Sequence, residues 1–193
     1  PDTVRKLNHL PVREKIRDVF AKAILRLQVV KEPYQLVERF MTSQMEPFHT
    51  SEPVFPAKRT VFEVLPYPRG SEFEKDFMRY LDEQPPDEVL AYTKVLPRMP
   101  LRIPYHDADG YLRHYVPDFV VKTVDGYFLL EPKGEGWDRQ EDTPAKVQAA
   151  VEWCRKVSEL TGDAWTHVKF LQPDFQRFRD LSFSQLTAAC HVQ

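Results

Sequence analysis

The chain has 193 residues, of which 42% are hydrophobic, and this is enough to bury a full core. Its formal net charge at pH 7 is −2, which argues against a protein that holds nucleic acid by bulk electrostatics alone, because neutralising phosphates requires many Lys and Arg residues. No apolar run approaches the roughly 20 residues of a membrane helix, and two cysteines are too few for a disulfide framework, so we expect a cytoplasmic protein with no membrane partner.

The beginning of the chain divides into a helical part and a proline-rich part. Apolar residues at helical spacing predict a helix over residues 11–30 and a shorter one after Pro33. Five prolines in the second part indicate extended chain, with one strand predicted over residues 60–65. We interpret residues 1–70 as an appendage or connector. Because the chain starts at Pro1 rather than Met, we expect it to derive from a longer polypeptide.

A compact domain is predicted over residues 71–193. Ser71 and Glu74 match a capping box at the start of its first helix. The elements predicted after that helix are strands at residues 88–95 and 101–105, a turn at 106–110, a hairpin within 115–136, a helix over 144–160, a strand at 165–172 and a helix over 183–192. A helix followed by strands, then a helix and a strand, predicts an α/β fold.

The predicted hairpin carries charges that a buried sheet must compensate. Asp125-Gly126 between two apolar runs is a strong signal for a tight turn. Asp118 begins one strand, while Glu131 and Lys133 end the other and point to one face because they are two residues apart. Burying unpaired charges is costly. One divalent cation bound by the two carboxylates would supply the missing partner.

These groups are sufficient in kind for phosphodiester hydrolysis. Carboxylates hold Mg²⁺, the metal polarises a phosphate oxygen and lowers the pKa of bound water, and an ammonium such as that of Lys133 orients or stabilises charge on the phosphate. Pro132 keeps a carbonyl as a further oxygen ligand, and it indicates a strand that is at an edge or ends there. The structural alternative is an Asp that caps a turn beside a Glu–Lys pair on a strand edge.

The order Pro117-Asp118, then a hairpin, then Glu131-Pro132-Lys133 resembles the PD-(D/E)xK nuclease superfamily. Four stretches in order are similar to the C-terminal nuclease domain of type III restriction enzymes and helicase-linked relatives, and together they cover roughly residues 71–172. The stretches are SEFEKDFMRYL, VLAYTKVLPRMPLRIPY, YVPDFVVKTVDGYFLLEPKGEG and AKVQAAVEWC.

The resemblance implies a restriction-endonuclease-like core with a central mixed β-sheet flanked by helices, preceded by the helical and proline-rich extension. It implies that Asp118 and Glu131 bind the metal and that Lys133 is the catalytic lysine, with Glu74 as a further acidic ligand beside the Pro132 carbonyl. The implied cofactor is Mg²⁺, with Mn²⁺ as a substitute.

The activity implied is DNA cleavage within a restriction or defence complex. The sequence has no ATP-binding glycine loop, so the helicase or translocase that accompanies such domains is expected on a missing part of the chain or on a partner. Cutting both strands would favour a homodimer. The alternative function is a non-catalytic nucleic-acid-binding or assembly module on the same scaffold, which the acidic net charge favours.

Five further residues have two interpretations each. Lys146 and Gln148 follow the hairpin on a predicted helix and are candidates for contact with the DNA backbone, or they are ordinary surface residues. His114 is a candidate for substrate contact or a solvent-facing strand residue. Glu135 and Asp138 either touch a second metal or belong to a solvated acidic loop.

Overall fold

The computed structural model describes residues 10–27, 41–46, 48–134 and 144–190. The first elements are helix α1 (Leu10–Leu27), a 3₁₀ turn (Thr42–Gln44), strand β1 (Val54–Pro56) and strand β2 (Val64–Pro66). Strands β1 and β2 pair antiparallel. The short helix predicted after Pro33 lies mostly outside the described residues, and the 3₁₀ turn stands at its predicted end.

The rest of the described chain is built around a four-stranded sheet. Its elements are α2 (Glu72–Glu83), β3 (Ala91–Lys94), β4 (Ile103–His106), β5 (Leu112–Tyr115), β6 (Phe119–Lys122), β7 (Tyr127–Lys133), α3 (Pro144–Thr161), β8 (Trp165–Leu171), α4 (Gln172–Phe178) and α5 (Phe183–Cys190). The sheet has the order β3-β6-β7-β8. Only β7 and β8 pair in parallel. The predicted α/β class with a mixed sheet and helices is therefore confirmed.

Helix α2 forms where the sequence predicts it, although its first turn differs in detail. Its buried face includes Phe73, Phe77 and Leu81, which recur at helical spacing. The predicted capping box does not form, because the Ser71 hydroxyl makes no hydrogen bond to the helix backbone. That hydroxyl instead donates to the Glu74 carboxylate at 3.4 Å.

The main core lies between α2 and the sheet. The ring of Phe77 is 5.3 Å from that of Phe119 on β6 and 4.9 Å from that of Phe170 on β8, measured between centroids. Leu65 on β2 is fully buried in the same cluster, and Tyr67 packs against it. The proline-rich segment therefore packs on the core of the sheet.

The predicted hairpin forms, but its turn is longer than the two residues Asp125-Gly126, because residues 123–126 separate the last paired residues, Lys122 and Tyr127. Phe119 lies opposite Leu130, so the next pair of positions beyond the ladder is Asp118 and Glu131. Strand β7 is interior in the sheet and not an edge strand, but it ends at Lys133. The part of the prediction that placed the strand end near Pro132 is therefore correct.

Several predicted elements differ from the structure in length or number. Strand β3 is shorter than predicted, and β2 begins four residues later than the strand expected at residues 60–65. Strands β1 and β5 and helix α4 were not predicted. Strand β5 completes a hairpin around the predicted turn, in which the Asp107 carboxylate accepts hydrogen bonds from the backbone N–H groups of Asp109 and Tyr111.

In the described part of the chain, no helix combines the length and the apolar composition needed to cross a membrane.

Candidate active site

Asp118 and Glu131 are brought together by the hairpin, as their sequence positions predict. Glu131 projects from β7 and its side chain is 2% exposed, whereas that of Asp118, just before β6, is 32% exposed. The carbonyl of Asp118 accepts a hydrogen bond of 2.8 Å from the backbone N–H of Val95. This bond ties the loop after β3 to the candidate metal ligand.

Lys133 lies between the two carboxylates. Its Nζ is 2.9 Å from Oε1 of Glu131 and 3.9 Å from Oδ2 of Asp118. Lys133 and Glu131 share one face of β7 because they are two residues apart. The structure therefore brings the three residues of the predicted catalytic set together, with the ammonium of Lys133 near both carboxylates.

A second lysine reaches the same carboxylate from helix α3. Lys146 Nζ donates to Oε1 of Glu131 and also lies 4.7 Å from the ring centroid of Tyr115. The residue is 8% exposed, so it is part of the interior beside Glu131. Gln148 on the same helix and His114 on β5 are exposed. Contacts of these three residues with DNA stay predictions.

His167 completes the surroundings of Glu131 and was not among the predicted site residues. Its Nε2 is 3.9 Å from Oε2 of Glu131, which is too long for a hydrogen bond, and 3.3 Å from the hydroxyl of Tyr115. His167 lies opposite Leu129 in the parallel pairing of β7 and β8. The available signal was a histidine inside a predicted strand.

The charge state of Glu131 is determined by these neighbours. Burial alone would raise its pKa, but the ammonium groups of Lys146 and Lys133, with the ring of His167 nearby, outweigh burial and hold the pKa well below its ordinary value. Oε2 of Glu131 is nevertheless buried without a hydrogen-bond partner in the described structure. An ionised oxygen in that condition is available to a cation.

Asp118 has the opposite electrostatic balance. Burial raises its pKa to about 6, and the positive charge of Lys133 only partly counteracts the effect. The carboxylates of Glu131 and Glu74 raise this pKa further. Asp118 is therefore short of compensating positive charge.

Glu74 lies near the site but is held by its own lysine. Its Oε2 is in contact with Nζ of Lys94, at the end of β3, and both side chains are largely buried. Over the described ranges no three His, Cys, Asp or Glu side chains are grouped so that they could hold a metal. The acidic groups that face each other are thus a pair, and the roles of Glu74 and the Pro132 carbonyl as further ligands stay predictions.

Glu135 and Asp138, the candidates for a second metal, lie outside the described residues.

A scan against protein-family models found no matching family. Searches of curated proteins and of solved structures found no significant match either.

Proposed function

We propose that this chain is a metal-dependent deoxyribonuclease of the PD-(D/E)xK type that hydrolyses DNA phosphodiester bonds. The observation that carries the proposal is the position of Asp118 and Glu131, which lie opposite each other and share the ammonium of Lys133. Two carboxylates and one lysine where neighbouring strands begin and end are the groups that this hydrolysis needs.

The side chains present fit a divalent cation. The Lys133 ammonium shows that one positive charge can lie between both carboxylates, and Oε2 of Glu131 is buried without a partner. The donors are oxygens, which Mg²⁺ and Mn²⁺ prefer. Asp118 and Glu131 would hold the cation, with the carbonyl of Pro132 and the carboxylate of Glu74 as further candidates. Bound there, the cation would act as a Lewis acid and lower the pKa of a water molecule.

The protein side chains have separate tasks in this proposal. Lys133 donates hydrogen bonds through an ammonium that lies between the carboxylates, so it can orient a phosphate oxygen and stabilise the charge that develops on it. Lys146 contacts Glu131 from the interior, where it keeps this carboxylate ionised and fixed in place. Lys146 is then a positioning residue.

A binding or assembly module remains the alternative function, and one observation favours it. The ammonium groups of Lys133 and Lys146 already compensate the charge of Glu131 without a metal, so the cluster can serve as a structural ion-pair network. In either case we propose that the chain binds DNA and works with a helicase or translocase on another domain or subunit. We also propose that it forms a homodimer and belongs to a cytoplasmic restriction or defence system.

The test is cleavage of supercoiled plasmid and of labelled single-stranded DNA by the purified chain with Mg²⁺, Mn²⁺ or EDTA. We expect metal-dependent cutting that falls by roughly 100-fold or more in Asp118→Asn and in Glu131→Gln. Asp109→Asn is the matched control, because Asp109 is an exposed carboxylate in the turn between β4 and β5. Cutting by Asp118→Asn and Glu131→Gln at the parent's rate would place the site elsewhere.

A further inference from the structure

A groove of about 440 Å³ lies beside the candidate active site. One wall is formed by residues 48–50, 52 and 66–68 of the proline-rich segment, and the other by residues 94–98 at the end of β3 and after it. Pockets of about 300 to 1,000 Å³ accommodate small organic ligands, so the space is suitable for one nucleotide.

Two contacts connect residues that line the groove to residues of the candidate site. Lys94 lines the groove, and its ammonium contacts the carboxylate of Glu74. Val95, the next lining residue, donates its backbone N–H to the carbonyl of Asp118 at 2.8 Å. The groove lining is therefore in direct contact with the backbone of the proposed metal ligand.

The groove lining combines the two side-chain types that bind single strands. Arg98 supplies positive charge, whereas the charge of Lys94 is already paired with Glu74, and Phe48 and Tyr67 supply aromatic rings. The one acidic lining residue, Glu52, accepts the backbone N–H of Arg69 at 3.3 Å and so stabilises its own wall. Cations bind phosphates, and aromatic rings stack on unpaired bases without regard to sequence.

We propose that this groove binds one unpaired nucleotide of the DNA strand that is cut, with Arg98 at a phosphate and Tyr67 against the base. The proposal rests on the proposed nuclease function and specifies its substrate as single-stranded DNA or a separated strand end. An unpaired base exposes its ring faces to Tyr67, whereas the bases of an intact duplex are stacked on one another. The proline-rich segment is then part of the substrate site.

The test measures binding of a short labelled single-stranded oligonucleotide by fluorescence anisotropy in EDTA, where cleavage does not interfere. We expect Arg98→Ala to weaken binding about fivefold and Tyr67→Leu about tenfold. Arg102→Ala, which removes an exposed arginine outside the groove lining, should stay within about twofold of the parent. The duplex of the same sequence should compete about tenfold more weakly. Circular dichroism confirms the fold of each variant.

The inference is overturned when Arg98→Ala and Tyr67→Leu bind the oligonucleotide as the parent does, when duplex competes equally, or when the parent does not bind. These outcomes are independent of the nuclease proposal, because binding is measured without metal. Metal-dependent cutting by the parent together with unchanged binding by Arg98→Ala would reject the groove alone. Unchanged cutting by Asp118→Asn would reject the nuclease site, and with it the substrate role of the groove.

Discussion

The carboxylate of Glu131 is in contact with the ammonium groups of Lys133 and Lys146, and its side chain is 2% exposed. Two ammonium groups beside one carboxylate leave an excess of positive charge, which Asp118 partly offsets from 3.9 Å. A cation bound by Asp118 and Glu131 would therefore compete with Lys133 for the same two carboxylates. This competition would make the affinity for such a cation sensitive to the lysines as well as to the carboxylates.

We expect Lys146→Met to lower the free energy of unfolding by roughly 3 kcal/mol, because it removes one partner of a buried ion pair. The matched control is Lys156→Met on the same helix, whose side chain is 31% exposed and 3.8 Å from Glu152. That change should cost less than about 0.5 kcal/mol. Urea denaturation in EDTA measures both, and equal small effects would show that Lys146 does not stabilise Glu131.

Asp118→Asn tests the electrostatic balance of the metal-free site. The pKa of Asp118 in the folded state is raised to about 6 from its ordinary value of 3.8. The stability that its protonated form contributes is complete below about pH 4 and is lost as the pH rises through about 6. Denaturation in EDTA should therefore show Asp118→Asn more stable than the parent above this range, by about 1 kcal/mol after allowance for solvent screening.

The measurement compares the free energy of unfolding of Asp118→Asn with that of the parent at each pH. This difference is needed because the pKa of Glu131 is shifted in the opposite direction from that of Asp118. Its lowered pKa gives stability that is present above its ordinary pKa and lost in acid. This contribution is common to the parent and to Asp118→Asn. A stability difference that does not change between about pH 4 and pH 7 would contradict the raised pKa of Asp118.

The sequence identified Asp118, Glu131 and Lys133 because all three belong to one hairpin, whose two strands follow each other directly along the chain. Lys94 and His167 were not identified as site residues. Their proximity depends on contacts between elements distant in sequence: Lys94 meets Glu74 across the β3–α2 interface, and His167 arrives through the parallel pairing with β7. No local pattern specifies such contacts.

At the scale of elements, the turn at Gly126 packs closely against the backbone just before β8. Gly126 has a φ of +146°, and a Cβ at this position would lie 2.3 Å from the carbonyl oxygen of Ala164. That same oxygen accepts the backbone N–H of Tyr127 at 2.8 Å, next to the first parallel pair of β7 and β8. Glycine is required here by both conformation and space.

We therefore expect Gly126→Ala to destabilise the protein by roughly 3 kcal/mol, since the added Cβ meets backbone atoms. Gly110→Ala is the control, because Gly110 also has positive φ, at +84°, but nothing lies within 4 Å of the added Cβ. Its cost should be about 1 to 2 kcal/mol from conformation alone. Thermal unfolding compares the two variants. Equal melting temperatures would show that the approach to Ala164 is not restrictive.

Elements with strong local signals were predicted well, and elements that depend on tertiary contacts were not. The amphipathic pattern of α2 and the turn signals of the hairpin are local. Helix α4 begins at Gln172 immediately after β8, so no loop separates the two elements in the sequence. Strand β5 has three exposed residues and is defined by its pairing with β4.

At the scale of the whole molecule, the proline-rich segment and the sheet share one core. Leu65 on β2 is fully buried beside residues of α2 and the sheet, while its neighbour Val64 is 40% exposed. Leu65→Ala should therefore lower the free energy of unfolding by about 3 kcal/mol and move the midpoint of a single unfolding transition, which includes the sheet, to lower denaturant concentration. Val64→Ala should remain within about 0.5 kcal/mol of the parent. A Leu65→Ala variant as stable as the parent would show that this segment does not share the core of the sheet.

The α/β class was predictable because alternating apolar strands and amphipathic helices follow one another in an order that defines it. The packing of residues 48–70 was not, because prolines interrupt the periodicity that would reveal a buried side chain such as Leu65. The groove between this segment and the loop after β3 could therefore not be predicted from the sequence either.

The most direct measurement of the central claim is the rate of plasmid nicking with Mg²⁺ by Lys133→Met, beside its affinity for Mn²⁺. Removing the ammonium that lies between Asp118 and Glu131 should leave cation binding intact or stronger, while cutting falls by roughly 100-fold or more. Retained binding with lost cutting would support a catalytic lysine at a metal site. Cutting at the parent's rate would contradict the account.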